Sequence, residues 1–311
     1  MTGNLPTRAD IEAAAFRLGR GVRRTPVLEV GLAERGLDVD IQLKLELTQH
    51  TGSFKARGAL NSVLSLPAHV TGVCAASGGN HAAAVAWAAH RAGLSADVFV
   101  PSNATPAKIE RIVSYGAQPH FVEGFVRDAL EACLTFAEAR AMPLLHPYDT
   151  FETVAGAGTT GLEIEEQVPD ADLVLVGCGG GGLYAGLATA LEGQARVQPV
   201  EPAMCPDLAC ALAEGGPTDT EVGGVAADSL GSPRIGEIAY AVASKHGVLP
   251  VLVDEDAILS ARRFLWDAAR VLAEPGACVA LASLLTGQVV VRPGQTAVVV
   301  ISGGNNDAPP A

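Results

Sequence analysis

From residue 40 to residue 302 the chain alternates apolar runs of strand length with stretches of helix length. The strand-length runs include "DIQLKLE", "GVCAA", "DVFV" and "QPHFV", then "DLVLVG", "RVQPVE", "LPVLVD" and "TAVVVIS". A helix between two strands carries the chain back along a sheet, so successive strands run parallel, and short runs apolar on both sides need cover on both faces. The pattern predicts an α/β protein with parallel twisted sheets flanked by helices. Helices are expected at "TRADIEAAAFRLG" with Thr7 as N-cap, and at "FKARGALNSVLSL", "HAAAVAWAAHRAG", "TPAKIERIVSYG" and "VRDALEACLTFAEARA". In the second half they are expected at "LYAGLATALEG", near 207–214, at "DAILSARRFLWDAARVLA" and at "ACVALASLLTG". Residues 215–236, rich in glycine, proline and serine, read as an ordered loop or lid, and "NNDAPPA" reads as a loose tail.

A chain of 311 residues is long for a single core and suits two lobes. The expected division is a large unit from residues 1–70 and 150–311 and a small unit from residues 71–149. Acidic residues outnumber basic ones 34 to 21, for a net charge of −13, and such a surface repels phosphate backbones. Nucleic acid is therefore not an expected partner. No apolar run approaches the ~20 residues of a membrane span, and the N-terminus lacks the apolar core of a secretory signal. Six scattered cysteines without a CxxC pair read as reduced thiols, so the expected location is the cytosol.

Three of the strands end in glycine-rich polar turns, where loop amides and helix N-termini of α/β sheets converge on ligands. "GVCAA" runs into Ser77, Gly78, Gly79, Asn80 and His81; "DLVLVG" runs into Cys178 and then Gly179, Gly180, Gly181 and Gly182. "TAVVVIS" ends in Ser302, followed by Gly303, Gly304 and Asn305. The four-glycine turn is the best phosphate cradle, because glycines let amide N–H groups approach an anion and the next helix adds its positive end. The first turn offers a hydroxyl, an amide and an imidazole at a helix start, which suits a substrate carboxylate. Gly177, Gly179 and Gly182 also satisfy the dinucleotide spacing, with Glu201 where a ribose ligand would sit, so an NAD-binding Rossmann protein stays open on spacing alone. That alternative accounts for neither the other two turns nor Lys55, which stands beside Phe54 behind a Gly-Ser turn in "TGSFKARGA". A lysine there is either solvated along its stem or held desolvated as a nucleophile.

Taken in order, "TGSFKARGA", "SGGNHAAAVAWAA", "VPSNATPAK", "HPYDTFETVAGAGTTGLEI", "GCGGGGL", "VEP" and "ISGGNN" resemble the threonine/serine dehydratases and their serine racemase relatives. These are pyridoxal-phosphate (PLP) enzymes of the tryptophan synthase β fold, fold type II, with the cofactor in the cleft between two domains. The resemblance runs from about residue 20 to residue 306. It implies that Lys55 forms the Schiff base with PLP and acts as general base at Cα. It implies further that Phe54 packs on the ring, Asn80 bonds the ring hydroxyl, and Gly179, Gly180, Gly181 and Gly182 hold the phosphate. Ser302 would face the pyridine nitrogen, and Ser77, Gly79, Asn80 and His81 would meet the substrate carboxylate. The implied reaction is β-elimination from L-threonine or L-serine, giving a 2-oxo acid and ammonia; 3-hydroxyaspartate or another β-hydroxy amino acid stays open. A homodimer or larger homo-oligomer is expected.

The departures carry information. Racemases of this group have a serine directly before Gly-Asn-His as an opposite-face acid; here Gly78 stands there, so racemisation is disfavoured. Ala83 and Ala84 replace a Gln-Gly pair, and Ala227, Asp228, Ser229 replace Ala-Asp-Gly in the substrate loop. A length of 311 residues is not expected to hold the regulatory domain of feedback-inhibited members. The resemblance also points to a cation site for Mg²⁺ or Ca²⁺ at Glu201, Asp207 and the carbonyl of Cys205. Without a metal, Glu201 would cap a strand and Asp207 would start a helix.

Overall fold

The computed structural model describes residues 5–33, 39–102 and 104–306. Most of the expected tail, and Asn103 within "VPSNATPAK", lie outside the described residues. The chain begins with α1 (Arg8–Leu18), then β1 (Val27–Gly31), β2 (Asp40–Lys44) and α2 (Lys55–Leu64). β3 (Gly72–Ala76), α3 (Asn80–Ala92), β4 (Ser95–Pro101), α4 (Pro106–Ser114), β5 (Gln118–Val122) and α5 (Val126–Arg140) follow. Next come α6 (Phe151–Gln167), β6 (Ala171–Gly177), α7 (Gly182–Ala190), β7 (Arg196–Pro202), α8 (Asp207–Glu214) and α9 (Ala227–Leu230). α10 (Glu237–His246), β8 (Val251–Val253), α11 (Glu255–Ala269), α12 (Pro275–Leu285) and β9 (Thr296–Val300) complete the order.

The strands form two sheets. A six-stranded sheet has the order β1-β2-β9-β6-β7-β8, and a three-stranded sheet has the order β3-β4-β5. Both are parallel except at one edge, where β1 pairs antiparallel with β2. That edge strand was not among the expected ones: "VLEVG" is partly exposed and polar enough that its short run carried no strand signal. Alternation along β6 explains the double cover. Leu173 and Leu175 pack with α11 and α12 on one face, while Val174 and Val176 pack with α7 and α10 on the other. Each such side chain contributes roughly 1.5–3 kcal/mol by leaving water. In the small sheet Val73 and Ala75 face α2 and α3, and Cys74 and Ala76 face α5.

Thr7 caps α1 as expected, in a reciprocal pair with Asp10 (Thr7 N to Asp10 Oδ2, 2.9 Å). α10 and α6 were not legible as helices, and α9 falls inside the stretch expected to be loop. Glycine is the cause in α6, whose Gly156, Gly158 and Gly161 depress helix propensity. They face neighbours too close for a side chain: an added Cβ would lie 2.7 Å from Arg57 O, 2.9 Å from Gly186 O and 2.7 Å from Ala190 Cβ, respectively. Among the described residues no helix is long and apolar enough to cross a membrane.

Candidate active site

Lys55 is the first residue of α2, placed there by a bend at Thr51 (φ 62°) and Gly52 (φ 77°). A β-branched residue at positive φ is uncommon, and both residues are tied to the turn after β9. Gly304 N donates to Gly52 O (3.0 Å), Phe54 N donates to Ser302 O (3.0 Å), and Ser53 bridges Gly303. Lys55 Nζ donates to Pro147 O at 2.7 Å and lies 5.1 Å from the centre of the Phe54 ring. Loss of hydration pulls the amine down to about 8, with the carboxylate of Glu274 opposing the shift. A neutral, nucleophilic amine is thus accessible near neutral pH.

The four-glycine turn joins β6 to α7 beside the end of β9, since these two strands are neighbours. Its glycines are required by contact. A Cβ on Gly180 would overlap the Tyr148 ring; on Gly182 it would sit 2.6 Å from Tyr148 O, and on Gly179 2.5 Å from Leu230 O. Gly181 has φ 85° and meets Ala239 and Ile235. Pressed between these groups, the turn leaves the amide N–H groups of Gly179, Gly180 and Gly181 without an acceptor among the described residues. Unpaired main-chain donors in a buried turn are rare, and three in a row at a helix start fit a dianionic phosphate. Pro147 and Tyr148 adjoin both this turn and the Lys55 amine, so one segment links cradle and lysine.

The turn of residues 77–81 runs from the end of β3 into the start of α3. Ser77 Oγ accepts from Gly79 N at 3.1 Å. The His81 ring is buried, its Nε2 bonds Leu145 O at 2.8 Å, and burial, then Lys55, pushes it down to about 3. It is therefore neutral, and His81 presents its main-chain N–H rather than its ring to the turn. Asn80 Nδ2 donates to Glu274 Oε1 (2.7 Å), and Asn305 Nδ2 donates to Asn80 Oδ1 (2.6 Å). A Cβ on Gly78 would lie 3.2 Å from Ala104 Cβ and 3.5 Å from Pro101 Cδ, so a serine there asks the β4–α4 loop to yield slightly.

The pattern of the pyridoxal-phosphate-dependent enzymes matches residues 18–303. This chain belongs to that family. It is 35% identical over 306 residues to an L-threonine ammonia-lyase of Thermotoga maritima, covering 97% of this chain and 76% of that one. It is 34% identical over 312 residues to a phenylserine dehydratase of Ralstonia pickettii, covering 99% and 95%. Among solved structures, the threonine deaminase of T.th. superposes with a TM-score of 0.90 at 34% identity, covering 98% of this chain and 100% of that one. Maize serine racemase superposes with a TM-score of 0.89 at 31% identity, covering 98% and 95%. The protein is a PLP-dependent enzyme with the type II fold.

Membership in the PLP family leaves no role for the dinucleotide reading, and the geometry supplies the reason. Both Glu201 oxygens face the start of α8, accepting from Leu208 N (2.6 Å) and Ala209 N (3.0 Å) rather than pointing to a ribose position. Glu201 thus caps α8, the next helix, and Asp207 is that helix's first residue. Burial raises Glu201 to about 8 and Asp207 to about 6. Asp207 accepts from Thr220 Oγ1 at one oxygen, and its other oxygen is buried without a partner. Among the described residues no group of three or more His, Cys, Asp or Glu side chains is placed to hold a metal. Cys205 turns its thiol to Gly223 O at 3.2 Å, and the six cysteines are free.

Sequence reasoning missed several groups of this site. Glu274, the N-cap residue of α12, is buried beneath Asn80, and burial raises its carboxyl to about 7. Asn305, quoted only as part of a strand-ending turn, joins Asn80 to the lysine turn at Thr51. Lys108 of α4 and Asp228 of α9 pair across the mouth of the cleft. A proline after an N-cap residue at "EPG" was the available signal for Glu274; Asn305, Lys108 and Asp228 lie in stretches the sequence had marked, but their partners, distant in the chain, were not legible.

Proposed function

We propose that this enzyme eliminates the β-hydroxyl of a small β-hydroxy amino acid, L-threonine or L-serine first, releasing a 2-oxo acid and ammonia. The observation that carries the reading is the Lys55 amine, desolvated to about 8 and held by Pro147 O next to the residue that packs on the unpaired glycine amides. Bound PLP supplies the electron sink that acidifies the Cα proton and loosens the β-substituent. Lys55 Nζ takes that proton, and Pro147 O orients it. The amides of Gly179, Gly180, Gly181 and Gly182 would hold the phosphate, Phe54 would pack on the ring, and Asn80 would donate to the ring hydroxyl. Ser302, a neutral hydroxyl rather than a carboxylate, would meet the ring nitrogen and keep the sink weak, which suits elimination. Ser77, the Gly79 and Asn80 amides and the His81 N–H at the start of α3 receive the substrate carboxylate. Gly78 has no proton to give to the opposite face, so elimination outruns racemisation.

Residues 71–149 act in this reading as the small substrate-binding domain, and residues 1–70 and 150–311 as the large PLP-binding domain. A cation, Mg²⁺ or Ca²⁺, would be held by Asp207, the Cys205 carbonyl and Glu201, pairing the buried Asp207 oxygen that has no partner, while the Glu201 oxygens keep their bonds to the α8 amides. The enzyme works in the cytosol as a homodimer or larger homo-oligomer. A second reading, phenylserine as substrate, is favoured by the relative of that name, which this chain matches over nearly the whole length of both.

The test is release of 2-oxo acid and ammonia from PLP-loaded enzyme across L-threonine, L-serine, phenylserine and 3-hydroxyaspartate, with residual serine resolved by chirality. Turnover of threonine or serine with little D-serine is expected. No 2-oxo acid from any of the four, or D-serine forming as fast as pyruvate, overturns the reading.

A further inference from the structure

An asparagine side chain is nearly symmetric in shape but not in chemistry: one end donates and the other accepts. Whichever end of Asn80 faces the cofactor decides whether an ionised ring hydroxyl is bound or repelled. The hydrogen bonds around Asn80 fix that choice from both sides.

The chain of constraints begins at a main-chain carbonyl. Thr51 O can only accept, so the end of Asn305 that meets it at 2.8 Å is the NH₂. The same Nδ2 reaches Asn80 at 2.6 Å, which uses its second hydrogen and requires an acceptor, so that end of Asn80 is Oδ1. Asn80 Nδ2 then lies on the far side, where Glu274 Oε1 accepts one of its hydrogens at 2.7 Å. The second hydrogen of Nδ2 has no acceptor among the described residues. The surroundings are built for this arrangement. A Cβ on Gly52 would overlap Asn305 Oδ1, a Cβ on Gly303 would overlap Glu274 Oε1, and Thr51 holds a positive φ that delivers its carbonyl to Asn305.

We propose that Asn305 and Glu274 are positioning residues that hold the Asn80 amide with its donor end toward the cofactor. Asn305 couples that orientation to the lysine turn through Thr51, and Glu274 holds the other end. This rests on the reading that Asn80 meets the PLP ring hydroxyl. The charged groups that act on Glu274 are Asp228 and Lys108 across the cleft and the Lys55 amine.

The test uses full-length protein freed of cofactor and reloaded with PLP, following dissociation constant and the pH midpoint of the bound cofactor's absorbance. Asn305→Asp replaces the donor by an acceptor and turns Asn80 around. It should weaken PLP binding about tenfold and raise the midpoint by about one unit, since an ionised hydroxyl loses its donor. Glu274→Leu should act in the same direction, whereas Glu274→Gln, which keeps an acceptor, should retain PLP affinity within about threefold. A melting curve of each variant confirms the fold at the assay temperature. If wild type binds PLP and Asn305→Asp and Glu274→Leu both match it in affinity and midpoint, the inference fails alone. Wild type that takes up no PLP would sink the functional reading, and the inference with it.

Discussion

At Lys55 and Glu274, burial moves the two kinds of ionisable group toward each other: the amine falls to about 8 and the carboxyl rises to about 7. Each shift is chiefly the cost of keeping a charge out of water. For Lys55 the consequence is kinetic. The rate at which cofactor-free protein takes up PLP at fixed concentration should rise between pH 7 and 9 with a midpoint near 8, because only the neutral amine attacks an aldehyde. Stopped-flow absorbance measures it, and a pH-independent rate would contradict the assignment; His81 and His146, both held neutral, do not titrate in that range. For Glu274 the consequence is thermodynamic. Between its ordinary 4.5 and about 7 the folded protein holds a proton that the unfolded chain has lost, so its contribution to stability falls as pH rises through that window. Relative to Glu274→Gln, cofactor-free wild type should lose on the order of 2–3 kcal/mol between pH 5 and 8, read from urea melts at each pH.

Among the elements, α6 shows how packing overrides propensity. Three glycines in one helix cost roughly 1 kcal/mol each in helix propensity. In exchange, α2 and α7 approach the α6 backbone directly, and the facing residue on α7 is again a glycine, Gly186. A Cβ at Gly186 would lie 2.6 Å from Gly158 N and 2.7 Å from Val154 O, both main-chain atoms that cannot rotate away. Gly186→Ala should therefore destabilise the protein: overpacking of about 1–3 kcal/mol exceeds the propensity gain of about 1. A lowered melting temperature in calorimetry is the expected result, and an unchanged or raised one would show that the α6–α7 crossing has slack. The glycine turn before α7 obeys the same contact logic, with a positive φ at Gly181 added to it.

On the scale of the whole molecule, a buried ion network ties β2, α2 and α6 together. Arg57 bonds Glu46 at 2.7 Å and Glu163 at 2.8 Å, and Lys44 bonds Glu163 at 2.6 Å. Arg57 and Glu46 are fully buried, and Arg57 stands two residues after Lys55, so the network anchors the turn of α2 that carries the lysine. Removing one partner strands a charge in low dielectric. Arg57→Met should cost about 3–5 kcal/mol in denaturant melts, while an exposed pair such as Lys245–Glu192 should contribute less than about 1 when Lys245 is changed to Ala. Equal losses at the two sites would contradict the distinction drawn from burial.

What the sequence determined by itself is what local pattern encodes. Strand-length apolar runs identified β2 to β9, N-cap chemistry placed the start of α1, and the glycine turns and Lys55 marked the ends of strands and a candidate nucleophile. These signals are local, because residue spacing sets which face a side chain occupies and glycine content sets how closely a backbone can be approached. Tertiary structure alone decided the rest. α6 is a helix because other helices need its glycines, and β1 is a strand because it borders β2. Glu274, Asn305 and Asn80 meet across 194 and 225 residues of sequence separation. No local pattern can encode contacts at such separation. The burial that raises the Glu274 carboxyl, and the carbonyl that orients Asn305, exist only once the three turns have closed on one another.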